Sequence, residues 1–359
     1  MTKSMLYYAE VLERIRSVFI AVELTGTVPA EAILVNVIDS SKIIVQPPSQ
    51  ETITIELPRK VANITQEQLK ACVKVRNHTM SLRLPLEGKP SHDRSVNQLM
   101  KLSSSYKWNA LELRKMHDYK LTCTQCQDPL VNSKDISATT EMPSELWAEM
   151  MDFWHCHKPH DTEHHSHHID TERFSTLKPL NNAIITGSYY FAFRASDTAF
   201  KVRMEQDKMY CEGCGTLVGE YDGASGLDKL FKWCVELDGD NYPAHNYVYN
   251  SLLDSVNGAA TRMVEYVSPK DEKLLLWVFN VGYDYITAEG LHTDAIKLYY
   301  TRDPSAIKDA REERGELESI EVPQHVYDSA LKYIELQHNH LPSALRSLNE
   351  SWKLGMLSK

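Results

Sequence analysis

The sequence predicts an α+β protein, and three observations predict it. Short runs rich in β-branched residues fill the first ninety positions, two Cys-x-x-Cys pairs mark the middle, and apolar residues recur at helical spacing near the end. At 359 residues the chain is long enough for two or three cores. With 42% hydrophobic and 25% charged residues it reads as an ordinary globular protein rather than a disordered one.

Taken in order, VFIAVEL (18–24), AILVNVID (32–39), KIIVQP (42–47), TITIELP (52–58) and MSLRLPL (80–86) alternate apolar and polar residues and are separated by Gly, Pro, Ser and Asn. That spacing predicts an antiparallel sandwich or open barrel over residues 1–99. ITQEQLKACVKV (64–75) reads as one helical interruption, because Gln68 follows Thr65 at capping-box spacing, and Cys72 is expected to pack within it. Residues 90–122 turn polar, a connector followed by a strand or short helix. CTQC (123–126) reads as a turn and DPLVNSKDISATTEM (128–142) as loop.

MPSELWAEMMDFW (142–154) predicts a short helix, with Trp147, Met150, Met151 and Trp154 at i, i+3, i+4 and i+7. The text that follows to about 172 lacks apolar periodicity and reads as loop. Strands are expected at AIITGSYYFAF (183–193) and FKVRM (200–204), and CEGCGTLVGEY (211–221) as a tight turn feeding a strand. GLDKLFKWCVEL (226–237) reads as a helix with Leu230, Trp233, Cys234 and Leu237 on one face. Residues 247–267 read as a helix then a strand, and 273–287 with 295–302 as a buried antiparallel pair. A helix at 324–338, a break at Pro342 and a second helical stretch close the chain. These boundaries divide it into a β-rich region 1–99, a mixed region 100–225 and an α+β region 226–359.

A formal net charge of -10 argues against a phosphate-binding surface and for protein partners. No window approaches the roughly 20 apolar residues of a membrane helix, and the first residues lack a signal-peptide pattern. An intracellular protein is therefore expected, in nucleus and cytoplasm. No Gly-rich phosphate loop supports nucleotide hydrolysis.

Seven cysteines are present, and four of them form the two Cys-x-x-Cys pairs Cys123/Cys126 and Cys211/Cys214. Each such turn lets two thiolates converge on one ion, and two turns supply a tetrahedral zinc site with sulfur at about 2.3 Å. Gly215 suits the positive φ of a knuckle turn. A closed four-thiolate site is structural, clamping the mixed region at the base of a long inserted segment. A redox pair and unliganded buried thiols are the competing readings.

The stretch WHCHKPHDTEHHSHHID (154–170) holds seven of the fifteen histidines. Cys156, between His155 and His157, is a candidate nucleophile for acyl transfer with His157 or His155 as its base or thiolate partner. Packing against the Trp147/Trp154 helix and a second metal site are the alternatives. His160, His164, His165, His167 and His168 read as a solvated, pH-responsive loop. Cys72 and Cys234 read as inert core thiols.

CTQC, PSELWAEMMDFWHCH, CEGCG, LLLWVFN and the closing NHLPSALRSLNESWKLGML, in that order behind a β-rich start, resemble the HECT-like family that binds ubiquitin-conjugating enzymes. The resemblance spans nearly the whole chain and extends to fungal members linked to mRNA 3′-end processing. It implies binding of a ubiquitin-conjugating enzyme and of the metallo-β-lactamase endonuclease subunit of the cleavage and polyadenylation factor. It also implies Cys123, Cys126, Cys211 and Cys214 as the zinc set and places Trp154, Cys156 and His157 in a family element. True HECT ligases carry their catalytic cysteine near the C-terminus, whereas here no cysteine follows Cys234. Thioester transfer would therefore fall to Cys156. The expected function is that of a ubiquitin-ligase-like protein, with a non-catalytic assembly or stability chaperone for the endonuclease as the alternative; direct nucleic-acid binding is not expected.

Overall fold

The computed structural model describes residues 5–48, 50–88, 106–142, 181–194, 196–197, 200–223, 225–258 and 260–359. The architecture is α+β and rich in strands. The chain divides into two units, Met1–Ser104 with Ser251–Lys359, and Ser105–Asn250.

The first unit begins with YYAEVL. The strand Tyr7–Leu12 turns back at Arg16, which takes a left-handed φ of 49°, and pairs with Ser17–Glu23 so that Tyr7 lies opposite Val22 and Leu12 opposite Ser17. Its other edge pairs with the long strand Lys273–Thr287, placing Glu10 opposite Tyr285. The sheet runs Glu318–Glu321, Met263–Val267, Lys273–Thr287, Tyr7–Leu12, Ser17–Glu23, Thr79–Pro85, Lys74–Arg76, with Gly290–Thr301 paired to Lys273–Thr287 and Lys353–Leu357 to Gly290–Thr301. All neighbours are antiparallel except Met263–Val267 with Glu318–Glu321. Strands from the expected regions 1–99 and 226–359 thus share this sheet, while residues 226–250 of the latter fall in the second unit.

Alternation decides which side chains face which core. Ala9, Val18, Ile20 and Val22 face one way and pack with Met80, Leu82 and Leu84. A three-stranded antiparallel sheet, Leu34–Ile38, Lys42–Gln46 and Ile53–Glu56, adds Val35, Ile43, Val45 and Ile55 to that core, the sheet-on-sheet packing that the spacing predicts. The helix Gln66–Cys72 carries the expected capping box: Gln68 N–H donates to Thr65 Oγ1 at 3.3 Å and Thr65 N–H to Gln68 Oε1 at 3.1 Å. Cys72 packs, half-buried, against the same core.

On the opposite face Tyr8, Tyr283 and Tyr285 surround Glu10, whose carboxylate accepts from Lys297 Nζ at 2.7 and 2.9 Å and from Tyr8 OH at 2.9 Å. Leu341, fully buried, covers those rings. Arg346 holds the turn that delivers it, donating from Nε to Leu341 O and from Nη2 to Asn339 O, each at 2.9 Å.

The helix Gln324–Asn339 lies where the periodicity predicts. The helical stretch expected after Pro342 does not form. A single 3-10 turn at Ser343–Leu345 is followed by the strand Lys353–Leu357. Pairing of Lys353–Leu357 with Gly290–Thr301 takes its backbone hydrogen bonds, and at Gly355 a Cβ would stand 2.4 Å from Ile334 Cγ2 and 3.1 Å from the Tyr300 ring, so its absence lets the helix Gln324–Asn339 lie against the strand. The pair 273–287 and 295–302 is antiparallel as expected. The helix Pro304–Arg314, capped by Asp303 and ended by Gly315, has no counterpart in the sequence reading.

The second unit holds two sheets around one core. One runs Ala138–Glu141, Ala183–Thr186, Tyr190–Phe193, Leu227–Phe231, Leu217–Asp222, Lys208–Cys211, Val202–Glu205; the other runs Asp240–Asn241, Val235–Leu237, Lys120–Cys123, Pro129–Asn132. The loop expected over 128–142 therefore contains two strands. The helix expected over 226–237 is a strand, a 3-10 turn at Lys232–Cys234 and a second strand. Leu230 and Leu237 are still buried, but backbone pairing with Tyr190–Phe193 and Leu217–Asp222 takes the hydrogen bonds a helix would have used.

Lys232 sits in that turn with no exposed surface. Its ammonium donates to Gly187 O at 2.7 Å, Lys107 O at 2.8 Å and Trp108 O at 3.3 Å, and lies 4.5 Å from the Tyr106 ring centroid. Three carbonyls and aromatic faces replace the water a buried ammonium loses. Lys232→Met leaves the three carbonyls without this donor and is expected to cost about 3 kcal/mol. A urea titration that returns the wild-type midpoint would show that the cage contributes no stability.

Candidate metal centre

The two Cys-x-x-Cys segments fold into matching knuckles. Each begins at the last residue of a strand, Cys123 in Lys120–Cys123 and Cys211 in Lys208–Cys211, and each leads into another strand. Cys123 N–H donates to Asp128 O and Cys211 N–H to Thr216 O, both at 2.9 Å. Gln127 N–H returns to Cys123 O at 2.8 Å and Gly215 N–H to Cys211 O at 2.9 Å. The residue after the second cysteine takes positive φ in both, 64° at Gln127 and 70° at Gly215. Glycine meets this demand at Gly215, as its position in CEGCG predicts, whereas Gln127 carries a side chain in the same conformation.

The knuckles face each other, and the four sulfurs lie within 4.8 Å of one another. The closest cross-pairs are Cys123 with Cys214 at 3.8 Å and Cys126 with Cys211 at 3.7 Å, although the pairs are 85 or more positions apart in sequence. Sulfurs at about 2.3 Å from a tetrahedral ion stand about 3.8 Å apart, so the cluster has the dimensions of a four-thiolate metal centre. The expected ligand set is thus brought together, and its four thiols could hold one metal ion.

Backbone amides complete the surroundings. The amides of Cys126 and Gln125 bond Cys123 Sγ, that of Asp128 bonds Cys126 Sγ, and that of Thr216 bonds Cys214 Sγ. Such bonds favour the thiolate, the form that ligates metal. The Thr216 hydroxyl, 3.2 Å from Cys214 Sγ, joins its amide in lowering the Cys214 pKa to about 6. At Cys126 the Asp128 amide also lowers the pKa, but desolvation and the three neighbouring sulfurs outweigh it and push the thiol up to about 12. Four sulfurs in this space cannot all ionise without a cation between them.

Gly213 and Asp128 were not singled out by sequence. A Cβ on Gly213 would stand 1.9 Å from Asp128 Oδ2, so the first knuckle's carboxylate occupies the space that a side chain in the second would need. Cys234 lies beside the centre, its carbonyl accepting from Thr124 N–H at 3.1 Å. Burial pushes its thiol up to about 12, with the neighbouring Cys123 adding to the rise. It packs, half-buried, against the core, but in a 3-10 turn rather than the expected helix. Cys156, His157, His155, the helix expected at 142–154 beyond its first residue, and the histidines from 160 to 168 lie outside the described residues.

A family model described as HECT-like ubiquitin-conjugating enzyme (E2)-binding matches residues 10–354. The chain is 29% identical over 366 aligned positions to an uncharacterised protein of Saccharomyces cerevisiae, covering 98% of this chain and 99% of that one. It is 24% identical over 269 positions to an uncharacterised protein of Schizosaccharomyces pombe, covering 70% of this chain and 77% of that one.

Metal analysis of the purified chain is expected to return about one ion per chain, as a single tetrahedral site requires. Cys123→Ser combined with Cys211→Ser takes one ligand from each knuckle and is expected to abolish binding and loosen the second unit. Stoichiometric metal in that double variant would mean that the four sulfurs do not share one ion.

Proposed function

Because the chain belongs to the HECT-like ubiquitin-conjugating enzyme (E2)-binding family, we propose that it is a ubiquitin-ligase-like protein that binds a ubiquitin-conjugating enzyme and also grips the metallo-β-lactamase endonuclease of the pre-mRNA cleavage and polyadenylation factor. It would thereby support mRNA 3′-end processing. The observation that carries the conjugating-enzyme half is the extent of the family match, which takes in both units and all four clustered cysteines. The endonuclease half rests on the resemblance of the Trp-x-Cys-His element and the closing NHLPSALR segment to fungal members of the family. A net charge of -10 supports protein partners over RNA. On this reading the protein would act in both nucleus and cytoplasm.

Zinc is the ion we assign to the cluster. Four thiolates at tetrahedral spacing suit an ion with no geometric demand of its own, and a site with four protein ligands has no position left for substrate. Zinc would supply structure here, and the cysteines of the cluster are accordingly not the nucleophile of ubiquitin transfer.

For ubiquitin transfer, supply of a nucleophile falls to Cys156. Of the other cysteines, four are in the cluster, and Cys234 and Cys72 are each half-buried against a core, the Cys234 thiol with its pKa pushed up to about 12 by burial. The Cys156 thiolate would attack the thioester carbonyl of charged conjugating enzyme and expel that enzyme's cysteine as thiolate. A lysine amine would then attack the new thioester and release Cys156, with His157 taking the proton. The second reading, a non-catalytic chaperone for the endonuclease, is favoured by one observation: no cysteine follows Cys234, in the part of the sequence where true HECT ligases carry their catalytic one.

With activating enzyme, conjugating enzymes and ubiquitin, a thiol-reducible adduct is expected on wild type, Cys72→Ala and Cys234→Ala but not on Cys156→Ser. No adduct with any conjugating enzyme, alongside retained co-purification of the endonuclease, would replace ligase activity by the chaperone reading. No measurable affinity for any conjugating enzyme would sink the first half of the proposal.

A further inference from the structure

The two knuckles share a backbone but differ two residues after their second cysteine, where the first has Asp128 and the second Thr216. Asp128 reaches across to the other knuckle, its carboxylate against Gly213. Thr216 stays with its own: its Oγ1 lies 3.2 Å from Cys214 Sγ and its amide bonds the same sulfur. The ligands also differ in exposure. Cys123 and Cys211 are buried, Cys126 is intermediate, and Cys214 is exposed.

A ligand is lost where water, a proton or a competing chelator can reach it, and groups around the ligand shell decide how readily it swings away. Cys214 is the ligand within reach, and Thr216 meets it twice, its amide donating to the sulfur and its Oγ1 lying 3.2 Å away. The other three sulfurs are held by burial or by amides alone. We infer that the centre opens at Cys214 and that Thr216 is the positioning residue that keeps this corner closed. The inference rests on the zinc reading above. It gives the centre one defined point of entry and exit for its ion, and one thiol at which alkylating or oxidising reagents first act. The cross-knuckle contact of Asp128 with Gly213 holds the rest of the cluster in register meanwhile.

The test uses the full zinc-loaded chain. Limiting N-ethylmaleimide followed by peptide mapping is expected to find Cys214 labelled before the other three ligands. Thr216→Val, which keeps the shape and removes the hydroxyl, is expected to release zinc to a chromogenic chelator about tenfold faster. Thr216→Ser, which restores the hydroxyl, is expected to stay near the wild-type rate. First labelling at Cys123, Cys126 or Cys211 overturns the inference, as does a valine variant at the wild-type rate or a serine variant as fast as the valine one. The labelling order needs no variant and stands even if Thr216→Val fails to fold. Metal content of the wild type, measured first, separates the two kinds of failure: a chain without zinc overturns the zinc assignment, whereas a zinc-loaded chain that fails the labelling test overturns this inference alone.

Discussion

Four sulfurs within 4.8 Å of one another are the constraint on which the second unit depends. As thiolates they repel, and as thiols they fill little space; a cation at their centre turns the same arrangement into a cross-link. The first knuckle closes a hairpin of the four-stranded sheet, and the second closes a hairpin of the seven-stranded sheet. An ion held there would tie together two sheets that share a core and that otherwise meet at the Val131–Phe200 bridge, where Lys201 N–H donates to Leu130 O at 2.9 Å. The long separation between the pairs, which departs from a compact zinc ribbon, follows from this: the intervening chain builds much of the unit that the centre closes.

Chemistry that needs particular residue types was legible in the sequence, and chemistry that depends on a distant partner was not. The two Cys-x-x-Cys pairs announce themselves because few side chains make such a site, and the Thr65/Gln68 cap because it is local. The strands of the first ninety residues show in their alternation. The stretch 226–237 misled because Leu230, Trp233, Cys234 and Leu237 fit helical spacing equally well. What decides its conformation is the pairing on both edges and an ammonium held by carbonyls up to 125 positions away. Ala138–Glu141 was unreadable for a related reason: its partner is Ala183–Thr186, a parallel neighbour more than forty residues on. Gly355 and its strand depend on the surface of a helix that no local rule reveals.

The closing element that carries much of the family resemblance has a structural explanation. Leu341 fills the space over Tyr8, Tyr283 and Tyr285, and Arg346 locks the turn around it. A motif can thus be distinctive without touching a partner. Cys123, Cys126, Cys211, Cys214, Cys234 and Cys72 each have a place in a core or cluster.

The strand Tyr7–Leu12 has one neighbour ten residues away and the other near residue 285. On the ribosome, the first of these pairings can form as soon as the hairpin emerges, while the second must wait for most of the chain to be made. Until then the strand presents an open edge of unpaired N–H and C=O groups, the kind of edge that recruits other chains. Residues 105–250, by contrast, are contiguous and contain both sheets of their unit and all four clustered cysteines, so their strands can pair while the other unit is still incomplete. Synthesis order thus makes the interrupted unit the vulnerable one, and a nascent chain arrested before residue 285 would carry a finished insert on an unfinished host.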